Sequence, residues 1–297
     1  MTVHTPARSR AAAPFRHGVL AISAAALAWG VGGAVAAVLM GGAGLGPVAV
    51  CAWRFAVAAG CLVLLPAARP SAAGGGRAAA LLTGIGLTVG QCAYFGAVRY
   101  AGLGLATLIT IGAGPVLTSL GAHLLLGERL TTRALAANGL ALAGLALLTA
   151  APAAGPRPLL GTGLALLAGA AQSGLTLWAR GGGTARASAG AFGTGLAVLL
   201  PLALLTEGRL LPSGQHPLPT AAALLFLGTV PTLLAYRWYF AGLATVPGAT
   251  AAVLVLLEPA AAALIGVVCF GEPFGRPALV GAALLLAAIV GLTRWQE

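Results

Sequence analysis

One stretch of this chain occurs twice, and the duplication constrains the fold more than any local motif. Near the C-terminus the chain reads Glu258-Pro259, ten apolar residues and a phenylalanine, then Gly271-Glu272; the first half has Gly114-Pro115, an apolar run, then Gly127-Glu128. Pro115 to Glu128 and Pro259 to Glu272 each span 13 residues, at an offset of 144. The apolar runs 140–148 and 284–292 continue the match downstream, and Tyr94-Phe95 meets Tyr239-Phe240 upstream with one residue of slip. Self-similarity at a fixed period marks a repeat architecture. The chain is a two-repeat protein.

Composition decides the solvent. Apolar residues make up 59% of the chain and charged residues 7%, where a soluble domain carries about 25% charged residues. This is a polytopic membrane chain, all α-helical, with room for about ten spans of ~20 residues. The sixteen basic residues are all arginine, mostly at the ends of apolar runs and without interleaved aromatics. That pattern orients a membrane protein and argues against nucleic acid as a partner. Cys51, Cys61, Cys92 and Cys269 lie within apolar runs at spacings that suit neither a metal nor a redox pair. Neither a cofactor nor a metal is expected.

Residues 1–16 read as a polar, basic tail. Spans are expected at about His17–Met40, Pro47–Pro66, Ala78–Val98, Leu103–Leu126 and Thr132–Ala150, the last with Thr131 as N-cap. The segment 151–158 breaks any helix and separates the repeats. Spans then follow at about Leu159–Ala179, Ser188–Thr206, Pro219–Gly242, Val246–Phe270 and Arg276–Leu292. The repeats are thus 17–150 and 159–293, with a short tail at 294–297. Five helices per repeat invert the second repeat in the bilayer. With both termini cytoplasmic, ten arginines fall inside (Arg8, Arg10, Arg16, Arg69, Arg77, Arg129, Arg133, Arg180, Arg186, Arg294). Four fall outside: Arg99, Arg157, Arg209 and Arg276. The bias favours this orientation, in the cell (inner) membrane.

A proline within an apolar helix that ends in Gly-Glu, followed by a glycine-containing helix, resembles the EamA repeat of the ten-helix drug/metabolite transporter superfamily. Ala28-Trp29-Gly30, Arg54-Phe55 and Leu257-Glu258-Pro259 fit that pattern too, and the resemblance covers about 18–150 and 159–293. It implies two inverted five-helix repeats around a central cavity lined by helices 1, 3, 4, 6, 8 and 9, with helices 5 and 10 peripheral. The Gly181-Gly182-Gly183 run after Trp178 and the presence of Arg237 depart from it.

Physics points to the same region. Inverted-repeat transporters bind substrate at the midplane, where glycine or proline interrupts a helix, and Pro115 and Pro259 are expected to be those interruptions. Glu258 is a carboxylate deep in an apolar span, which marks either a pathway or a structural pair. By helical rise it lies ~12 Å from the outer edge of a ~30 Å core, and Arg54 lies ~10 Å from that edge. Arg237 is nearer the cytoplasmic end. Depth makes Arg54 the expected charge partner of Glu258, provided helices 2 and 9 approach each other. Gln91 and Tyr94, with Thr88, recur at three-residue spacing on one face of helix 3. Trp29 and Trp178 stand at corresponding positions in helices 1 and 6, and Tyr236 and Tyr239 give helix 8 a polar-aromatic end. The expected substrate-binding set is Trp29, Gln91, Tyr94, Pro115, Trp178, Tyr239, Glu258 and Pro259, with Arg54, Arg237 and Glu258 as charge-coupling candidates.

The reading is a secondary transporter that exports a small organic metabolite, amino-acid-like or drug-like, by alternating access. Its partners are that substrate and the bilayer, with a homodimer left open. A membrane-embedded enzyme is the alternative, although the chain has no Asp and scatters its histidines at 4, 17, 123 and 216. A non-transporting sensor or partner protein is a third.

Overall fold

The structure, a computed structural model, describes residues 8–64, 76–148, 156–181, 188–213, 217–270 and 275–294. These residues form ten helical spans. The first repeat holds α1 (Arg8–Gly42), α2 (Pro47–Leu64), α3 (Arg77–Ala101), α4 (Leu103–Leu126) and α5 (Thr132–Leu148). The second holds α6 (Pro158–Arg180), α7 (Ala189–Glu207), α8, α9 and α10 (Arg276–Arg294). α8 runs Pro217–Gly228, passes through a π-helical stretch at Thr229–Leu234, and resumes as Ala235–Leu243. α9 is broken into Gly248–Val255 and Leu257–Phe270.

Eight of these are long and apolar enough to cross a bilayer, and two shorter apolar helices lie at Thr132–Leu147 and Leu279–Gly291. Leucine and valine side chains stand exposed around the outside, among them Leu20, Leu125, Leu159, Leu205, Leu218 and Val268. An exposed apolar surface on this scale needs lipid around it. Caps form where the residue types demand them. The Thr131 hydroxyl accepts from the Ala134 N–H at 3.1 Å, and Ser188 caps α7 through the Ala191 N–H at 3.1 Å.

Packing follows the duplication. Exchanging the two repeats maps helix pairs onto one another: α3 packs on α6 as α8 packs on α1, α4 on α6 as α9 on α1, and α3 on α7 as α8 on α2. The pairs α2–α7 and α5–α10 map onto themselves. The repeats are also inverted. Gly18, near the start of α1, abuts Gly242, Thr245 and Val246 at the end of α8. Gly181, at the end of α6, meets Leu126 at the end of α4. α1 therefore begins at the face where α6, its counterpart, ends, the near face. At the far face Gly161 at the start of α6 packs on Ala101 at the end of α3.

Three differences from expectation appear. α1 begins at Arg8, well before His17, and carries Pro14 inside it. α4 is continuous through Pro115, so the interruption expected there does not occur. A proline removes one helical hydrogen bond, here the one to the Ile111 carbonyl, and the helix runs on without it; beside the proline, the Ser173 hydroxyl of α6 donates to the Gly114 carbonyl at 3.4 Å. α8 contains the π stretch that its apolar pattern concealed. Gly271-Glu272 and residues 151–155 of the separating segment lie outside the described residues.

Candidate functional site

The break in α9 creates the site. Pro259 has no N–H, so the helical hydrogen bond to the Val255 carbonyl is missing where the break falls. The helix stops at Val255, closes with a Leu256 N–H to Val253 O bond of 3.1 Å, and restarts at Leu257. Glu258 therefore stands in the first turn of the second segment, where a helix N-terminus stabilises negative charge. A Cβ on Gly30 would meet the Glu258 carbonyl and Ala261. The glycine of Ala28-Trp29-Gly30 is thus what lets α1 approach α9 closely.

Glu258 is half-buried despite its depth. Lipid-facing carboxylates at that depth are rare and costly, and the Gly30 contact places Glu258 where α1 of one repeat meets α9 of the other. The Arg54 charge acts on it through space, but the two make no ion pair. Arg54 Nε instead donates to Thr232 Oγ1 at 3.0 Å. α2 packs on α1, α3, α7 and α8, and α9 packs chiefly on α1, α4, α5 and α10. Among the described residues, helices 2 and 9 do not pack on each other to any comparable extent, so the approach on which the expected pair depended is not made.

Gln91 sits beside Tyr236, and its Oε1 accepts from Cys51 Sγ at 3.7 Å. The Tyr94 hydroxyl pairs with Thr107 of α4 at 2.9 Å. Trp29 is held between Tyr236 and Tyr239, with ring centroids 5.3 and 5.4 Å away. Its indole nitrogen is buried without a partner. The Tyr239 hydroxyl meets Thr176 of α6 at 2.6 Å. Trp178 packs against the cluster around α2 and α7. Pro115 and Pro259 are buried. Arg237 is half-buried next to the partly exposed Trp238, about 100° around the helix from Tyr236.

The structure thus brings Trp29, Gln91, Tyr94, Tyr239, Glu258 and Arg54 to the repeat interface. The face of helix 3 divides: the Thr88 hydroxyl bonds to its own Gly84 carbonyl at 2.8 Å and is packed by Gly195 of α7. Sequence reasoning missed Thr232 and Gln172. Gln172 lies beside Tyr239 in α6, one turn before Thr176, so helical spacing from the Tyr239 partner could have found it.

Closure is unequal at the two faces. At the near face α4 meets the first segment of α9, with Thr118 and Ala122 against Gly248. α6 there touches both the end of α8 and the start of α9. Repeat exchange would place matching contacts at the far face, between α4 and the second segment of α9 and from α1 to α3 and α4. Among the described residues none of those helix pairs packs to a comparable extent. Exposure agrees. In α4, residues 107–111 toward the far face are half-buried, whereas Thr118, Ser119 and Ala122 toward the near face are buried. Among the described residues the two repeats therefore pack more closely at the near face than at the far face.

The sequence matches the EamA-like transporter family over residues 16–150 and again over 159–294. The chain belongs to that family. Family membership agrees with the helix pairing, one match per inverted repeat. An uncharacterized protein of Pseudomonas aeruginosa is 40% identical over 199 residues, 63% of this chain and 66% of that protein's length. An uncharacterized transporter of Bacillus subtilis is 31% identical over 206 residues, 67% of this chain and 68% of that one. A solved crystal structure superposes with a TM-score of 0.79 over 93% of this chain and 98% of its own, at 22% identity. That likeness bears on the fold. The chain is a multi-pass membrane protein of a transporter family.

Proposed function

We propose that this protein is a secondary transporter that moves a small organic metabolite outward across the cell (inner) membrane by alternating access. The observation that carries this is Glu258: a carboxylate deep between inverted repeats, at a helix break, and only half-buried. Isolated charge in that position is expensive and marks a pathway. Arg54 at the same interface offers a guanidinium for a carboxylate group, Glu258 an acceptor for a cationic group, and Trp29 with Tyr236 an apolar wall. That combination suits a zwitterionic, amino-acid-like solute. Closer packing at one face fits one half of an alternating cycle. The near face carries Arg129, Arg133 and Arg180, which by the positive-inside rule supports a cytoplasmic near face and an external far face.

Untargeted metabolomics of cells and medium, with and without the expressed protein, tests this. A solute that shifts to the medium with the native protein, and not with Glu258→Gln, is the expected result. An unchanged partition of every solute would count against the reading.

A further inference from the structure

Glu128 stands just past the end of α4. Gly127 caps that helix at φ 69°, a left-handed conformation that L side chains resist. The turn brings the Glu128 N–H onto the Ala122 carbonyl at 3.0 Å. The Glu128 carbonyl sits 2.9 Å from His123 Nδ1; since a carbonyl only accepts, Nδ1 carries the proton. This accounts for the Gly-Glu pair in physical terms: the glycine turns the backbone, and the turn aims the carboxylate back across the near face.

What it meets there is Arg180. Nε and Nη2 of Arg180 reach Glu128 Oε1 at 2.7 and 2.6 Å. Glu128 Oε2 accepts the N–H of Gly248 at 3.1 Å, in the first turn of α9, where backbone donors lack helical partners. Arg180 Nη1 donates to the Leu243 carbonyl at 2.8 Å and also to the Val246 carbonyl. One ion pair joins the ends of α4, α6 and α8 to the start of α9. Its side chains are 18% and 22% exposed, so water screens it less than a surface bridge.

The sequence of the other repeat lacks the arginine, and the counterpart of Glu128, Glu272, lies outside the described residues. Arg180 lies two residues after Trp178, and the residue two after Trp29 is Val31. The arginine therefore has no cationic counterpart in α1, which parallels the unequal closure of the two faces.

We propose that the Glu128–Arg180 pair is a latch that holds the near mouth shut and must part before the repeat interface can open to that side. The proposal rests on the transporter reading for its role in transport, and on the near-face geometry for the closure itself.

The test is accessibility. Thr118 is 2% exposed, and its methyl lies 3.3 Å from where a Gly248 Cβ would sit. Thr118→Cys, in protein lacking Cys51, Cys61, Cys92 and Cys269, reports on that mouth when a charged, impermeant maleimide is added to vesicles of either orientation. Slow labelling from the near face is expected with the latch intact, and labelling ~10-fold faster in Glu128→Gln or Arg180→Gln. The double variant should be no faster than either single one, because the two groups act as one contact. Arg180→Lys should fall between, as a single ammonium cannot span the carboxylate and both carbonyls. That variant carries the test if Arg180→Gln does not accumulate. Unchanged labelling in every variant, additive gains, or an equal rise from both faces would overturn the latch. Solute movement in proteoliposomes is read separately. Movement with unchanged labelling removes the latch and leaves the transporter; a labelling shift with no solute moved does the reverse.

Discussion

At the scale of single residues, burying charge in an apolar span has a consequence that can be measured. Glu258 and Arg54 interact through space, while Arg54 is anchored by Thr232. A buried pair in contact loses about 3–5 kcal/mol when one partner is removed, and this pair is not in contact. A double-mutant cycle on thermal stability in detergent with Glu258→Gln and Arg54→Gln is therefore expected to give a coupling of about 0.5–1 kcal/mol. A coupling near the contact value would mean that the two close on each other in the membrane. Depth was legible from sequence, because helical rise fixes how far each charge lies from a helix end. The partner was not, because it depends on which helices are neighbours. The assumption that helices 2 and 9 touch is the step that failed. Glu128 shows the same limit: its place after Gly127 was plain in the sequence, but its reach to Arg180 and Gly248 required the tertiary arrangement.

At the scale of elements, prolines were visible in the sequence but their effects were not uniform. Pro259 breaks α9, Pro115 leaves α4 continuous, and Pro231 lies within a π stretch. Pro231 cannot donate to the carbonyl four residues back, which is Leu227 O. The Thr232 hydroxyl takes that acceptor at 2.7 Å, five residues along, while accepting from Arg54 Nε. One buried hydroxyl thus completes the backbone and holds a charge at the site. Pro231 also packs against Gly32 of α1, where a larger residue would collide. Thr232→Val keeps the shape and removes both bonds. It should lower stability by about 1–3 kcal/mol, the cost of unsatisfied buried polar groups, in a thermal melt with ligand absent. Thr232→Ser should stay within about 1 kcal/mol of the parent. If Val and Ser behaved alike, the hydroxyl would have no part in the π stretch. Helix existence and most helix ends were legible because apolar runs and caps are local. The π stretch was not, since an inserted residue barely disturbs a pattern that is apolar on every side.

At the scale of the whole molecule, the duplication, the inverted packing and the arginine distribution bear on one another. Contacts alone order the faces: α1 starts, α4, α6 and α8 end, and α9 starts at the near face. They leave open which face meets the cytoplasm. Arginine supplies that step. Arg129 and Arg133 flank the near-face end of α4 and Arg180 closes α6, whereas Arg99 in the last turn of α3 and Arg157 just before α6 lie at the far face. Lys/Arg excess in short loops lies on the cytoplasmic side, so the near face should be cytoplasmic and the less closely packed far face external. Reporter fusions that work only outside the cytoplasm should be active near Pro156 and silent at Glu297. Activity at Glu297 with silence at Pro156 would invert the molecule in the membrane, make the latched mouth external and turn the proposed direction of transport around. Activity at both sites would require an even number of crossings between them, and would contradict the five spans from α6 to α10. The first outcome is expected because the sequence duplication already demands that α5 and α10 end on opposite faces, and the positive-inside bias chooses between the two arrangements that remain.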